Sequence, residues 1–277
     1  MLPCCHAETG MKHGFDIIDI HLHLGPYFNF HIAHNDPAGI VAEMDRLGIR
    51  QAWVSSHLAI EGDAALGNDE TAEAVRAYPD RFAGYVVADP NYPDEVLPEL
   101  ERRLAQPEFR MIKLHPGLAT YPIDGPNYEP VWEMARARNC PVLTHAWTGD
   151  LYCGPGPIRR VMQKHPGIRL IFGHALFHAT FKEAAEVAAE FPEVILDLTT
   201  SNHCYGMIEH AVEKVAPTAS SSVPTRPSSP PRARLEKFCT PASPTRTKPR
   251  SSAAMQGAYS NRCGVSRLRH DSHCFLQ

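Results

Sequence analysis

Residues 16–23 read DIIDIHLH, and this stretch decides the fold. Asp19, His21 and His23 alternate with Ile18, Ile20 and Leu22. Residues two apart in a strand share a face, so the two imidazoles point one way and the aliphatic side chains the other. Six further apolar runs of strand length follow: Gln51–Ser55, Phe82–Val87, Met111–His115, Val142–His145, Leu170–His174 and Val194–Leu198. Helix-like stretches come after the strands at Pro37–Leu47, Glu70–Ala77, Asp94–Leu104, Pro130–Arg138, Pro157–Lys164, Phe181–Glu190 and Met207–Val215. The first has a clear start, with Asp36 able to cap and Pro37 suited to the first helical position.

Strands alternating with helices predict βαβ units and a parallel sheet. Seven units over residues 15–215 fit an α/β, TIM-type (β/α)8 barrel that lacks its last unit. A doubly wound open sheet is the competing architecture, but no glycine-rich phosphate loop follows the first strand.

The histidines recur at strand ends. His115, His145 and His174 close separate strands in MIKLHP, PVLTHAW and LIFGHAL, so with His21 and His23 four of the seven strands end in His. Barrels build their active sites at C-terminal strand ends. One such His is an ordinary packed or solvated residue; four matching placements favour a site. Adjacent imidazoles at a strand end make a half-site for Zn2+ or a similar ion.

These residues carry a resemblance. DIIDIHLH, MIKLHP and the strand-end His145 and His174 resemble the amidohydrolase superfamily, in its amidohydrolase-related branch with enzymes like aminocarboxymuconate-semialdehyde decarboxylase. The resemblance covers residues 15–215. It implies that His21, His23 and His145 bind one divalent metal ion, with Zn2+ favoured, and that His174 is the catalytic residue acting on the substrate or its attacking water. The expected function is metal-dependent hydrolysis of a small organic acid, amide or lactone. Non-oxidative decarboxylation and a non-catalytic, decayed barrel are the alternatives. Lys113 shares a face with His115; both are candidates for touching substrate or for supporting the ligands. In two-metal relatives a strand-four Lys is carbamylated, whereas a Lys binding a carboxylate fits the one-metal branch better. Asp197 is an inward polar residue or a partner of a ligand. Tyr27, Phe28 and Trp147 follow metal-bearing strands and are candidates for the pocket wall. The family also uses an Asp after strand eight, which this sequence does not show.

Composition explains where that Asp went. The 277 residues carry 27 Lys+Arg against 31 Asp+Glu, a net charge of −4, which argues against nucleic-acid or membrane binding by the whole chain. The balance is not uniform. Residues 216–277 hold eleven of the fourteen Ser, and ten Lys and Arg against only Glu236 and Asp271. That stretch could be a disordered basic arm that touches nucleic acid, but it has no aromatic–basic interleaving or repeat.

A shifted reading frame accounts for it better. Shifted by one base, with permitted codons, Val215–Pro227 spells GADRVLFGSDAP, which resembles the family's strand-eight motif with its metal-binding Asp. In the same frame Phe238–Ser260 spells LYAGIPDEDKAEILGGNARRLF, an amphipathic terminal helix. The first base of each shifted codon is mostly open, though the single codon of Met255, with Gln256, forces the Ala of NA; the other two are set by the protein sequence, apart from two-way choices at Ser and Arg. A single-base deletion or base-call error near Val215 is therefore expected, with loss of the eighth strand and terminal helix.

The expected organisation is an N-terminal extension at 1–14 with Met11 a candidate start, the barrel at 15–215, and an aberrant tail at 216–277. Only Cys140, Cys153 and Cys204 lie in the barrel, without C-x-x-C spacing, so no disulfide framework or structural zinc site is expected. No apolar run approaches the roughly 18 residues that span a bilayer, and no secretory h-region opens the chain. A cytoplasmic protein acting on a small molecule, with homo-oligomerisation open, is the default expectation.

Overall fold

In the computed structural model the described residues are 17–147, 149–175, 181–199 and 205–219, with 235–236 and 274–275. The chain opens on β1, Ile17–Leu24. Asp36 then starts α1, Pro37–Leu47: its carboxylate accepts the Ala38 and Gly39 amides at 3.1 and 3.0 Å. These are amides that no helical carbonyl can reach. Gly48, in the left-handed region at φ 77°, ends the helix and turns the chain into β2, Ile49–Ser56. Two helices follow, α2 (His57–Glu61) and α3 (Ala64–Ala77). Then come β3 (Phe82–Val87), α4 (Pro93–Leu104), β4 (Phe109–Leu114), the short α5 (Pro116–Ala119), α6 (Glu129–Ala137) and β5 (Val142–Thr144). The last repeats are α7 (Pro155–Lys164), β6 (Leu170–Phe172), α8 (Phe181–Glu190), β7 (Val194–Asp197) and α9 (Met207–Ala219).

β1 to β7 lie side by side in chain order, every pair parallel. A doubly wound sheet reverses its strand order at a switch point. This sheet has no reversal, so it winds in one direction as a barrel does. Its curl is shown by His21 on β1, which contacts Asp197 on β7 and Lys113 on β4. A flat sheet would hold those strands far apart, since neighbours are about 4.8 Å apart. Two-residue strands cap the edges: β8 (Leu235–Glu236) beside β7 and β9 (Cys274–Phe275) beside β1. Among the described residues β8 and β9 do not pair, so the sheet is a curled, unclosed barrel of seven βα units with its eighth full strand missing.

The helices cover the convex face. Leu100 of α4, Val131 and Trp132 of α6, Ile158 and Val161 of α7 and Ala184 of α8 pack with Ile18, Ile20, Ile112 and Val142 of the strands in one core. Trp132 and Leu100 are essentially fully buried. A side chain of this size contributes about 1.5–3 kcal/mol by burial. Cys140 and Cys153 are buried free thiols, and Cys204 lies outside the described residues. So do the proposed extension at 1–14 and most of the tail. No described helix is long and apolar enough to cross a membrane.

Candidate active site

Five histidines from four strand ends meet at the concave mouth. His21 lies between its neighbours: its ring centroid is 5.3 Å from that of His23 and 4.9 Å from that of His174. His174 in turn lies 4.7 Å from His145, and His145 stacks on His115 at 3.9 Å. The sequence-expected residues His21, His23, His115, His145 and His174 are thus brought together. Lys113 joins them from β4, fully buried, with Nζ 2.7 Å from His21 Nε2.

The hydrogen bonds fix which ring nitrogens are free. Asp197, buried at the end of β7, accepts a hydrogen bond from His21 Nδ1–H on Oδ2 at 2.5 Å. Its Oδ1 accepts the Thr199 amide at 2.9 Å and the Thr199 hydroxyl at 2.6 Å. His21 Nε2 is therefore the lone-pair nitrogen, and Lys113 donates to it. His174 Nδ1 donates to the Thr199 carbonyl at 2.7 Å, which leaves its Nε2 as the basic atom. His23 Nδ1 pairs with the Ser55 hydroxyl at 2.9 Å. His115 Nδ1 accepts the Leu118 amide at 3.2 Å, so its Nε2 carries the proton.

Two backbone features hold this arrangement. A Cβ on Gly173 would lie 2.4 Å from the Thr144 carbonyl oxygen and 3.4 Å from His21 Cε1, so only glycine lets β6 approach β5 here. The next residue, His174, sits in the left-handed region at φ 52°. Conformations of this kind cost about 1–3 kcal/mol and persist where surrounding contacts hold them.

Burial governs the charge states. It pushes the His21 pKa down to about 3, helped by the Lys113 charge. Burial also lowers His23, His115 and His145 well below the usual imidazole value, and lowers His174. Lys113 falls to about 7 for the same reason. Burial alone would raise Asp197, but the His21 ring beside it outweighs that and holds it low. Asp19, which accepts the His21 amide at 2.9 Å, is raised well above the usual carboxyl value by burial.

The donor chemistry fits a divalent ion. Neutral imidazoles are the form that ligates, and a ligating His commonly gives its other N–H to a carboxylate, as His21 does to Asp197. Among the described residues, however, no three His, Cys, Asp or Glu side chains converge to hold an ion together. His21 Nε2 faces Lys113 instead.

The aromatic walls divide. Trp147 stacks on His145 at 5.8 Å, and Tyr27 lies 4.8 Å from His57. Phe28, by contrast, is 69% exposed and touches Tyr27 rather than a histidine. His57 was missed by sequence reasoning: it follows β2, stacks on His23 at 4.8 Å and bonds the Gly25 carbonyl at 2.9 Å. Its signal was present, since WVSSH is one more apolar run closed by a His.

A curled parallel sheet with a histidine cluster at its C-terminal strand ends defines the class of barrel enzymes whose chemistry sits in the barrel mouth. The chain belongs to the amidohydrolase family, whose sequence model matches residues 18–235. Solved structures share the fold. A TIM-barrel protein from Bordetella bronchiseptica is 19% identical with a TM-score of 0.55, over 66% of this chain and 75% of that one. A 5-carboxyvanillate decarboxylase from Novosphingobium aromaticivorans, with bound manganese and 3-methoxy-4-hydroxy-5-nitrobenzoic acid, is 15% identical with a TM-score of 0.57, over 75% and 86%. A 4-oxalomesaconate hydratase from Rhodopseudomonas palustris is 18% identical with a TM-score of 0.50, over 71% and 78%. No curated protein matches the chain in sequence.

Proposed function

We propose that this chain carries the site of a metal-dependent hydrolase that acts on a small organic acid, amide or lactone. The observation that carries the reading is the buried Asp197–His21 dyad set among neutral strand-end imidazoles. His21, His23 and His145 would hold one divalent ion, Zn2+ by the preference of imidazole donors. When bound, the ion supplies an acidified water and polarises the substrate. His174 is the proton acceptor: its Nδ1 proton is committed to Thr199, and its neutral Nε2 is free to deprotonate or orient the attacking water. With Nδ1 taken by the Leu118 amide, His115 keeps its Nε2–H as a donor for a substrate oxygen.

Non-oxidative decarboxylation is the second reading, favoured by the structural likeness to 5-carboxyvanillate decarboxylase, which also supports manganese as an alternative ion. We further propose that residues 216–277 are the out-of-frame translation of the eighth unit. The strand-eight Asp is then absent, and the chain as it stands turns over slowly and dissolves poorly. Exposed sheet edges favour aggregation.

The test compares the chain as it stands with a frame-restored chain on a panel of amides, lactones and aromatic carboxylates, with Zn2+ or Mn2+. Turnover in the restored chain alone, lost in His174→Asn, supports the reading. Robust metal-dependent turnover by the chain as it stands, or a nucleotide sequence whose codons cannot spell the Asp-containing peptide, removes the frameshift. Silence in both chains leaves a non-catalytic barrel.

A further inference from the structure

Among the described residues Lys113 is the only buried lysine. It is fully enclosed on β4, yet among the described residues no carboxylate pairs with it at contact distance; its Nζ donates to His21 Nε2 at 2.7 Å. That nitrogen is the one lone pair His21 has to offer, because Asp197 holds the proton on Nδ1. Asp197, His21 and Lys113 thus form a line of carboxylate, imidazole and cation. A ligating His at a metal site shows the same order, with the metal as the cation. One lone pair cannot serve both an ammonium and an ion.

We propose that Lys113 is an internal competitor of the metal: its ammonium holds the cation position on His21, and a divalent ion enters only when Lys113 withdraws. This rests on the metal-centre reading above and adds to it a residue that opposes loading. Two physical costs produce the opposition. The lysine must give up a buried hydrogen bond, worth more than an exposed one because no water replaces it. Its positive charge must then remain near a second cation in a poorly screened interior. In return the ammonium keeps His21 oriented and its lone pair satisfied when no ion is present.

The experiment titrates Zn2+ by calorimetry into the full chain, its Lys113→Met and Lys113→Gln variants, and His23→Ala. Both lysine variants are expected to bind Zn2+ about tenfold or more tightly than the parent, since the competing charge is gone. Zn2+ is also expected to shift the Lys113 Nζ resonance in parent chain labelled with 15N-lysine, a measurement that needs no variant to fold. Equal or weaker binding by the lysine variants, or an unmoved Nζ resonance on saturation, overturns the proposal. If the parent binds Zn2+ and His23→Ala does not, that failure leaves the metal reading standing. If none of the four chains binds Zn2+, both fall together.

Discussion

Replacing Asp197 by Asn removes one charge and almost no volume, so its effect isolates what the carboxylate does. Oδ2 accepts from His21 Nδ1 at 2.5 Å and the His174 amide at 3.3 Å, while Oδ1 accepts from the Thr199 amide and hydroxyl. An Asn amide has one acceptor and one donor end. With its oxygen toward Thr199, its NH2 faces two N–H groups. His21 can relieve one clash by moving its proton to Nε2, but that proton then meets the Lys113 ammonium. With the amide flipped, the clash moves to the Thr199 amide. Either way a buried donor is left unpaired, and Lys113 loses the negative charge that offsets it. Breaking a buried ionic network by removing one partner costs about 3–5 kcal/mol. For a domain of this size that corresponds to a fall of roughly 6–20 °C in Tm. Thermal melts and urea titrations of the parent and Asp197→Asn measure it directly. A change below about 1 kcal/mol would refute the reasoning, since it would place Asp197 in contact with water rather than with His21.

Other expected outcomes follow from the same contacts. Acid should destabilise the chain early: His21 has a folded pKa of about 3 against 6.5 unfolded, so the unfolded state binds the proton first. Stability then falls as pH drops from 6.5 toward 3, at about 1.4 kcal/mol per pH unit for that residue. His23, His115 and His145 add the same sign, and Lys113 adds it between 10.5 and about 7. Urea midpoints across pH check this, and a flat profile contradicts it. Gly173→Ala should cost about 1–3 kcal/mol, because its Cβ meets the Thr144 carbonyl oxygen at 2.4 Å. An unchanged urea midpoint would show that β6 has room to move. Asp36→Ala should cost about 1 kcal/mol through the lost cap on α1, read from the same titrations, with no change in metal binding.

The fold was legible where local pattern and tertiary structure agree. On β1 the two-residue alternation gave both the strand and the inward placement of His21 and His23. Strands β1 to β7 and helices α1, α4 and α8 fall within two residues of the sequence reading. The start of α3 was read at Glu70, six residues late, because its first turns hold Gly67. That glycine is there for packing: a Cβ would lie 2.2 Å from the Ala59 amide nitrogen of α2. Missing α2 also hid His57, whose helix is started by the Ser56 hydroxyl accepting the Leu58 amide at 3.1 Å. Asp197 was visible as an inward acid, but its partner is 176 residues away and no local spacing encodes that pairing. Lys113 was placed on the correct face for the same reason as His115. Its contact with the His21 imidazole is set by the sheet's curl, not by the β4 sequence, so no local spacing showed it.

The central claim is that the strand-end histidines form one metal centre. A Co2+ titration of the full chain, followed by its visible ligand-field bands, tests it most directly, alongside His21→Ala, His23→Ala and His31→Ala. The account expects a single ion whose binding weakens by about tenfold or more in the first two variants and is untouched in His31→Ala, which alters a loop residue outside the cluster. Equal Co2+ binding by all four chains would contradict it.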